Sequence, residues 1–305
     1  MPDAQPQVAL LTDLPPPVLE RLSGTYQLQR VREAFEAPDA RAVITNGGRG
    51  ITALEVHGLR FLDLVATIGV GFEAVDLQAL RSRGIPLVTA RGTNEDAVAD
   101  HALALLLASA RRIPEYDRAA KAGEKLAAAP TSLTGKTLGI LGLGEIGSRI
   151  AERGKAFGLK IAYHNRHPRR DVDYRYLPDP RRLAAASDFL IVSTPGGVGT
   201  HHLINREVLQ ALGPQGRIVN VGRGEVVDTE ALVAALRAGE IAGAALDVVE
   251  GEPQARTALA DVPNLILTPH VAAHSPERIA ALADHLFNTL SARLSAVAPI
   301  EGAAA

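Results

Sequence analysis

Short runs of β-branched and leucine-rich residues recur along this chain, and stretches of helical periodicity separate them. Val8–Leu11, Ala42–Thr45, Leu64–Ile68 and Pro86–Thr89 form a first set. Thr137–Leu141, Lys160–Tyr163, Asp188–Ser193, Arg217–Val221, Gly243–Val248 and Asn264–Thr268 form a second. Nearly continuous apolar runs of this length, with helices between them, predict parallel strands buried on both faces, hence an α/β fold. Residues 97–107 are apolar on almost every side, which predicts a buried helix linking the two sets. Residues 119–134 read as a polar surface connection, and Pro276–Leu294 as a last helix able to return to the first half.

One βα junction carries a specific signal. Thr137–Leu141 runs directly into Gly142-Leu143-Gly144-Glu145-Ile146-Gly147 and then into a helical pattern. In this strand–loop–helix setting the GxGxxG spacing marks a dinucleotide site. Gly142 permits the tight turn, Gly144 lets backbone N–H groups approach a pyrophosphate, and Gly147 lets helix and strand pack closely. The bland alternative is a tight turn without a ligand. The cofactor-binding set therefore includes Gly142, Gly144, Glu145, Ile146 and Gly147.

The next strand bears on which dinucleotide binds. A carboxylate about 20 residues further on would accept from the ribose 2′-OH of NAD. Here His164-Asn165-Arg166-His167-Pro168-Arg169-Arg170 follows instead, with no carboxylate before Asp171. Guanidinium groups suit a 2′-phosphate, so NADPH/NADP is expected, with NADH a weaker possibility. Asn165 and Arg166 are placed nearest the phosphate, with Arg169 or Arg170 assisting; a solvated basic loop is the competing reading.

Three other strand ends carry polar residues that burial does not require: Asn220–Gly224, Asp247–Pro253 and Thr268–His270. Parallel strands send all of these to one edge of the sheet, where ligands bind. Singly, each has an ordinary explanation as an ion pair, a loop carboxylate or a structural histidine. Together they offer Arg223 to hold an anion, His270 to exchange a proton and Glu252 to orient it. Composition narrows the chemistry further. The 305 residues fit two domains, the net charge is −2, and aromatic residues make up 4 %. That balance argues against nucleic acid as a partner. With Cys count 0, thiol nucleophiles, thiolate-bound zinc and disulfides are excluded. No basic residue precedes Arg21, and the apolar stretch from Ala102 is too short for a bilayer, so a cytoplasmic protein without a membrane partner is expected.

These motifs, with Gly69-Val70-Gly71, Arg83-Gly84-Ile85 and Val98-Ala99-Asp100-His101-Ala102, resemble the D-isomer-specific 2-hydroxyacid dehydrogenases over nearly the whole chain. The similarity is to the NADPH-dependent glyoxylate/hydroxypyruvate and hydroxyphenylpyruvate reductase branch. It implies two Rossmann-like or flavodoxin-like parallel-sheet domains with the active site in the cleft between them. Residues 99–272 would form the dinucleotide-binding domain, and residues 1–98 with 273–305 a discontinuous substrate domain. The resemblance implies catalytic roles for Arg223, Glu252 and His270. It puts the backbone N–H groups of Val70 and Gly71 on a substrate carboxylate, together with Arg223 and His270. Val221 and Asp247 fall at the nicotinamide, Ser193 and Pro195 on the adenosine side.

The expected activity is hydride transfer from NADPH to a small 2-oxo acid, giving a D-2-hydroxy acid, in a homodimer. Reduction of aromatic 2-oxo acids, or a dinucleotide-sensing role like that of the related corepressors, are the alternatives. Gly222, Pro195-Gly196-Gly197, Arg91–Asn94 and His274 depart from the family pattern and leave substrate identity open. Asn46–Arg49, at the end of a strand, is a further candidate for substrate contact, and His274 fits a helix-entry or surface role better than a substrate contact.

Overall fold

The computed structural model describes residues 5–125 and 129–294. The chain divides into two compact units, one built from the chain up to Asn94 and again from His274, the other from Glu95 to Ala273. The first holds a parallel sheet of β1 (Gln7–Leu10), β2 (Gln27–Arg30), β3 (Ala42–Thr45), β4 (Leu64–Thr67) and β5 (Leu87–Thr89), in the order β2-β1-β3-β4-β5. Alternate residues of its strands enter two different cores, which is why the runs read as continuously apolar. Val8, Leu10, Ile44 and Leu64 pack with Leu22 and with Leu282, Leu286 and Leu290 of the last helix, Pro276–Leu294. Ala9, Val43 and Val65 pack with Val56, Leu59 and Leu80.

The second unit holds seven parallel strands: β6 (Thr137–Leu141), β7 (Lys160–His164), β8 (Arg175–Tyr176), β9 (Phe189–Val192), β10 (Arg217–Asn220), β11 (Gly243–Leu246) and β12 (Leu265–Leu267). Their order is β12-β11-β10-β9-β6-β7-β8, so the chain reverses its direction of travel between β6 and β9. Such a reversal opens a crevice at the C-terminal ends of those two strands. The helix Glu95–Ala110 is buried through Val98, Ala102, Leu105 and Leu106, against Leu138, Ile140 and Val219 of the sheet. Its first turns are also clamped electrostatically to the helix Glu145–Ala156. Arg153 lies 2.6 Å from Asp100 and 3.0 Å from Asp96, and Arg149 lies 3.0 Å from Asp96.

Two strands and a helix depart from the sequence reading. β2 and β8 are edge strands with polar sequences, QLQR and RY, that bury little and so lack the apolar signature. The helix Ile113–Ala122 extends into the stretch expected to be a connection; it buries Ala119 and little else. Of that stretch, residues 126–128 lie outside the described residues.

A buried carboxylate ties the first unit together. Glu55, 1 % exposed, accepts from Ala34 N–H and Thr52 N–H at 2.9 Å each and from the Arg49 guanidinium at 2.5 and 3.1 Å. Glu55 N–H donates in turn to Thr52 Oγ1 at 3.3 Å, completing a capping box on the helix Ala53–Gly58. Burial acts to raise the Glu55 pKa, but the bonds from Arg49, Thr52 and Ala34 outweigh it and bring it down to about 2. The folded-state value lies below the unfolded one, so this stabilisation is complete above pH 4.5 and lost as pH falls toward about 2. Glu55→Gln is expected to destabilise the first unit by roughly 3 kcal/mol at pH 7, because it takes from Arg49 its buried counter-charge and leaves only the longer 3.6 Å pairing with Glu33. Denaturant unfolding followed by circular dichroism from pH 7 to pH 3 should show the gap between variant and wild type narrowing with acid.

Candidate active site

Six of the seven parallel strands deliver candidate residues to one edge of the second sheet. Gly142 leaves β6 with φ +99°, and a Cβ there would fall 2.9 Å from Thr194 Cα. A Cβ on Gly147 would fall 2.2 Å from the Gly142 carbonyl oxygen, so the helix can approach the loop only without a side chain. Gly144 faces open space and precedes the helix Glu145–Ala156 without any side-chain cap. Exposed Glu145 and half-buried Ile146 begin that helix. Ser193 Oγ donates to the Gly142 carbonyl at 2.9 Å and thereby joins the end of β9 to the loop, at the reversal of strand order. Pro195 is exposed just beyond it, and Val221 is buried at the end of β10. An uncapped helix start behind an open glycine is a cradle that fits a pyrophosphate.

The turn after β7 is arranged differently from the simplest reading of its sequence. Asn165 Oδ1 accepts from Leu143 N–H at 2.6 Å and its Nδ2 donates to the Leu143 carbonyl at 3.3 Å, so this side chain braces the glycine loop. Arg169 also turns to the loop, donating to Ser148 Oγ at 2.6 Å and to the Leu143 carbonyl at 3.2 Å. Asp171, the first carboxylate after the basic run, folds back onto Arg169, with Nε 3.0 Å from Oδ1. Its hydrogen bond raises the Arg169 pKa and lowers that of Asp171. Arg166 and Arg170 are exposed and, among the described residues, make no hydrogen bond or ion pair. These two cations therefore remain exposed, while Asn165 and Arg169 shape the loop beside them.

A histidine–carboxylate pair lies beyond the ends of β11 and β12. His270 Nδ1 sits 2.6 Å from Glu252 Oε1, and the imidazole is 54 % exposed. Burial pushes the Glu252 pKa up, but the hydrogen bond and charge of His270, the Val249 N–H and the Arg256 charge together bring it below its ordinary value. The His270 backbone is left-handed, with φ +58°, and its N–H donates to the Asp247 carbonyl at 2.9 Å. Asp247 is 1 % exposed; its carboxylate accepts from Thr268 Oγ1 at 2.7 Å and from the N–H groups of Val271 and Ala272 at 2.9 Å. Expected at the cofactor, Asp247 is occupied in holding the turn that presents His270.

Arg223 follows Asn220, whose buried amide accepts from Gly222 N–H at 3.0 Å and donates to the Arg223 carbonyl at 3.0 Å. That turn fixes the backbone from which Arg223 projects. The Arg223 side chain passes close to Gly196, where a Cβ would fall 3.2 Å from Arg223 Cγ. In the first unit, half-buried Val70 and Gly71 follow β4 in irregular backbone, and a Cβ on Gly47 would fall 2.8 Å from the Gly71 carbonyl carbon. Arg49, considered above for substrate, is instead bound to Glu55. His274 is exposed ahead of the last helix.

The sequence reading missed two contributors, Arg256 and His101. Arg256 pairs with Glu252, donates to the Thr268 carbonyl and reaches the Asp247 carbonyl at 2.9 Å. Its position four residues after Glu252 was the available signal. His101 Nε2 lies 3.0 Å from Thr268 Oγ1 and 3.5 Å from the Asp247 carboxylate, and Thr268 itself joins the two. Nothing in their spacing indicates that these residues meet.

Residues 103–272 match the family model described as D-isomer specific 2-hydroxyacid dehydrogenase, NAD binding domain. Hydroxyphenylpyruvate reductase of Plectranthus scutellarioides is 38% identical over 277 residues, covering 89% of this chain and 88% of that protein. A glyoxylate/hydroxypyruvate reductase of Arabidopsis thaliana is 38% identical, over 84% of this chain and 82% of its own. Among solved structures, the NADPH-dependent glyoxylate/hydroxypyruvate reductase of Sinorhizobium meliloti, in complex with NADP and malonate, aligns with a TM-score of 0.88 at 36% identity. That alignment covers 97% of this chain and 96% of the other.

Replacing Arg256 by Met would remove a charged donor from the outer oxygen of Glu252 and from the Thr268 and Asp247 carbonyls, leaving each with backbone N–H partners only. The expected cost is about 1–3 kcal/mol. Hydrogen exchange should quicken between residues 247 and 256 while nucleotide affinity stays at the wild-type value. Unchanged protection in that segment would contradict the clamp.

Proposed function

Since the chain belongs to the D-isomer-specific 2-hydroxyacid dehydrogenase family, we propose that it reduces small 2-oxo acids of the glyoxylate/hydroxypyruvate type to D-2-hydroxy acids with NADPH. The observation that carries this reading is the 2.6 Å pairing of His270 with Glu252, on the same sheet edge as the uncapped glycine loop. Glu252 engages Nδ1, which leaves Nε2 as the outward donor. The bound nicotinamide supplies the hydride to the 2-oxo carbon. His270 as imidazolium then gives its Nε2 proton to the developing alkoxide, and Glu252 balances the charge of the ring before transfer. Arg223 binds the substrate carboxylate and polarises the oxo group, a contribution that grows as negative charge develops.

Other assignments follow from the family resemblance and the surroundings of each residue. The N–H groups of Val70 and Gly71 bind the substrate carboxylate. Gly142, Gly144, Glu145, Ile146 and Gly147 hold the pyrophosphate, and Ser193 and Pro195 line the adenosine side. Arg166, with Arg170, meets the 2′-phosphate, supported by the absence of competing partners for either cation. Val221 and the turn organised by Asp247 border the nicotinamide. A cytoplasmic homodimer is the family's implication; among the described residues no helix is long and apolar enough to cross a membrane. Aromatic 2-oxo acids are a second reading, supported by the similarity to a hydroxyphenylpyruvate reductase.

NADPH oxidation against glyoxylate, hydroxypyruvate, pyruvate and phenylpyruvate tests the proposal. The highest kcat/KM is expected with the first two, and turnover with none of the four would overturn it in favour of a sensing role. His270→Ala should lower kcat by about 10²–10⁴-fold with the NADPH Kd unchanged. Arg166→Ala should raise the KM for NADPH about tenfold and leave that for NADH nearly unchanged; an equal effect on both cofactors would remove Arg166 from the phosphate.

A further inference from the structure

The sequence Thr200-His201-His202-Leu203 plays no part in the chemistry above, yet its two imidazoles converge on one carboxylate. His202 Nε2 lies 3.1 and 3.0 Å from the two oxygens of Glu250, and His201 Nε2 lies 3.6 Å from Oε1. The two rings are stacked, with centroids 3.9 Å apart and planes inclined by 28°. One ligand atom from each of the three residues fits within a span of 4.8 Å. The side chains are 52 %, 35 % and 35 % exposed for His201, His202 and Glu250, so a hydrated ion can reach them.

Main-chain bonds hold the group together independently of those side chains. His202 N–H donates to the Glu225 carbonyl at 2.9 Å, and Ile204 N–H to the Val226 carbonyl at 3.0 Å. Gly224 packs directly on the backbone of the Glu250 segment, where a Cβ would fall 2.2 Å from the Val249 carbonyl carbon. His202 also adopts φ +50°, a left-handed conformation that costs a residue with a Cβ roughly 1 kcal/mol. A simple ion pair accounts for only part of this arrangement. A proton on each ring would set two like charges face to face, and a neutral His201 can donate to Glu250 only across a long 3.6 Å. A divalent cation satisfies both nitrogens and the carboxylate together.

We propose that His201, His202 and Glu250 form a binding site for a divalent transition-metal ion of the zinc class. Two borderline imidazole nitrogens beside one carboxylate oxygen favour such ions over magnesium or calcium, which take all-oxygen sites. Three protein ligands leave a coordination position to water. The site would join the loop after β9 to the segment Val249–Pro253 that carries Glu252, acting as a removable staple behind the acid–base pair.

Titration of the full-length, chelator-treated protein with Zn²⁺, by calorimetry at pH 7.5, tests this. One equivalent is expected to bind with a micromolar Kd. The near-isosteric Glu250→Gln and, separately, His202→Asn should each weaken binding at least tenfold, with circular dichroism and NADPH affinity at wild-type values to show that the fold is intact. Co²⁺ in place of zinc should give visible d–d absorption in the wild type that both variants lose. No stoichiometric binding up to 1 mM Zn²⁺, or equal binding in wild type and both folded variants, would overturn the proposal.

Discussion

Asp247 is the point on which the candidate site depends. A carboxylate that is 1 % exposed is tolerated only where donors surround it, and here they do. Burial acts to push its pKa up; the bonds from His101, Thr268, Ala272 and Val271 outweigh that and hold the carboxyl well below the usual carboxylate range. The ionised group fixes residues 268–272, and the Asp247 carbonyl takes both the His270 N–H and Arg256. The left-handed backbone at His270 is therefore held in place from several sides. A residue with a Cβ kept in such a conformation requires that support.

Around that anchor the charges are shared rather than paired off. Glu252 gives one oxygen to His270 and the other to Arg256. Its ionisation is supported from two sides, while the imidazole remains the exposed member of the group. The cofactor side uses the same economy: Asn165 and Arg169 brace the glycine loop and leave Arg166 and Arg170 open to an anion. Bracing of the loop and exposed positive charge thus fall to different side chains of one short turn.

Much of this was legible from the order of residues. Parallel strands buried on both faces announce themselves as apolar runs, and polar residues at their C-terminal ends stand out because burial gives no reason for them. Asn220–Gly224, Asp247–Pro253 and Thr268–His270 were found this way. Edge strands β2 and β8 were not, since an edge with a solvated face has no apolar periodicity to read. Asp247 shows a different limit: the sequence marks it as polar and near the site, but only tertiary structure shows that backbone donors occupy its oxygens. Asp171 was counted as lying beyond the basic run, and the chain's turn brings it back onto Arg169. Arg256 and His101 act through neighbours brought together by strand order, which spacing along the chain does not encode.

The last helix, Pro276–Leu294, fills the core of a unit whose sheet is encoded before residue 90. During synthesis Val8, Leu10, Ile44 and Leu64 leave the ribosome long before Leu282, Leu286 and Leu290 exist to cover them. The unit of Glu95–Ala273, by contrast, has all its strands and both its cores in one uninterrupted segment. Vectorial synthesis therefore completes the nucleotide-binding unit first, while the N-terminal sheet, with one face only partly covered by Val18 and Leu22, waits for the helix Pro276–Leu294.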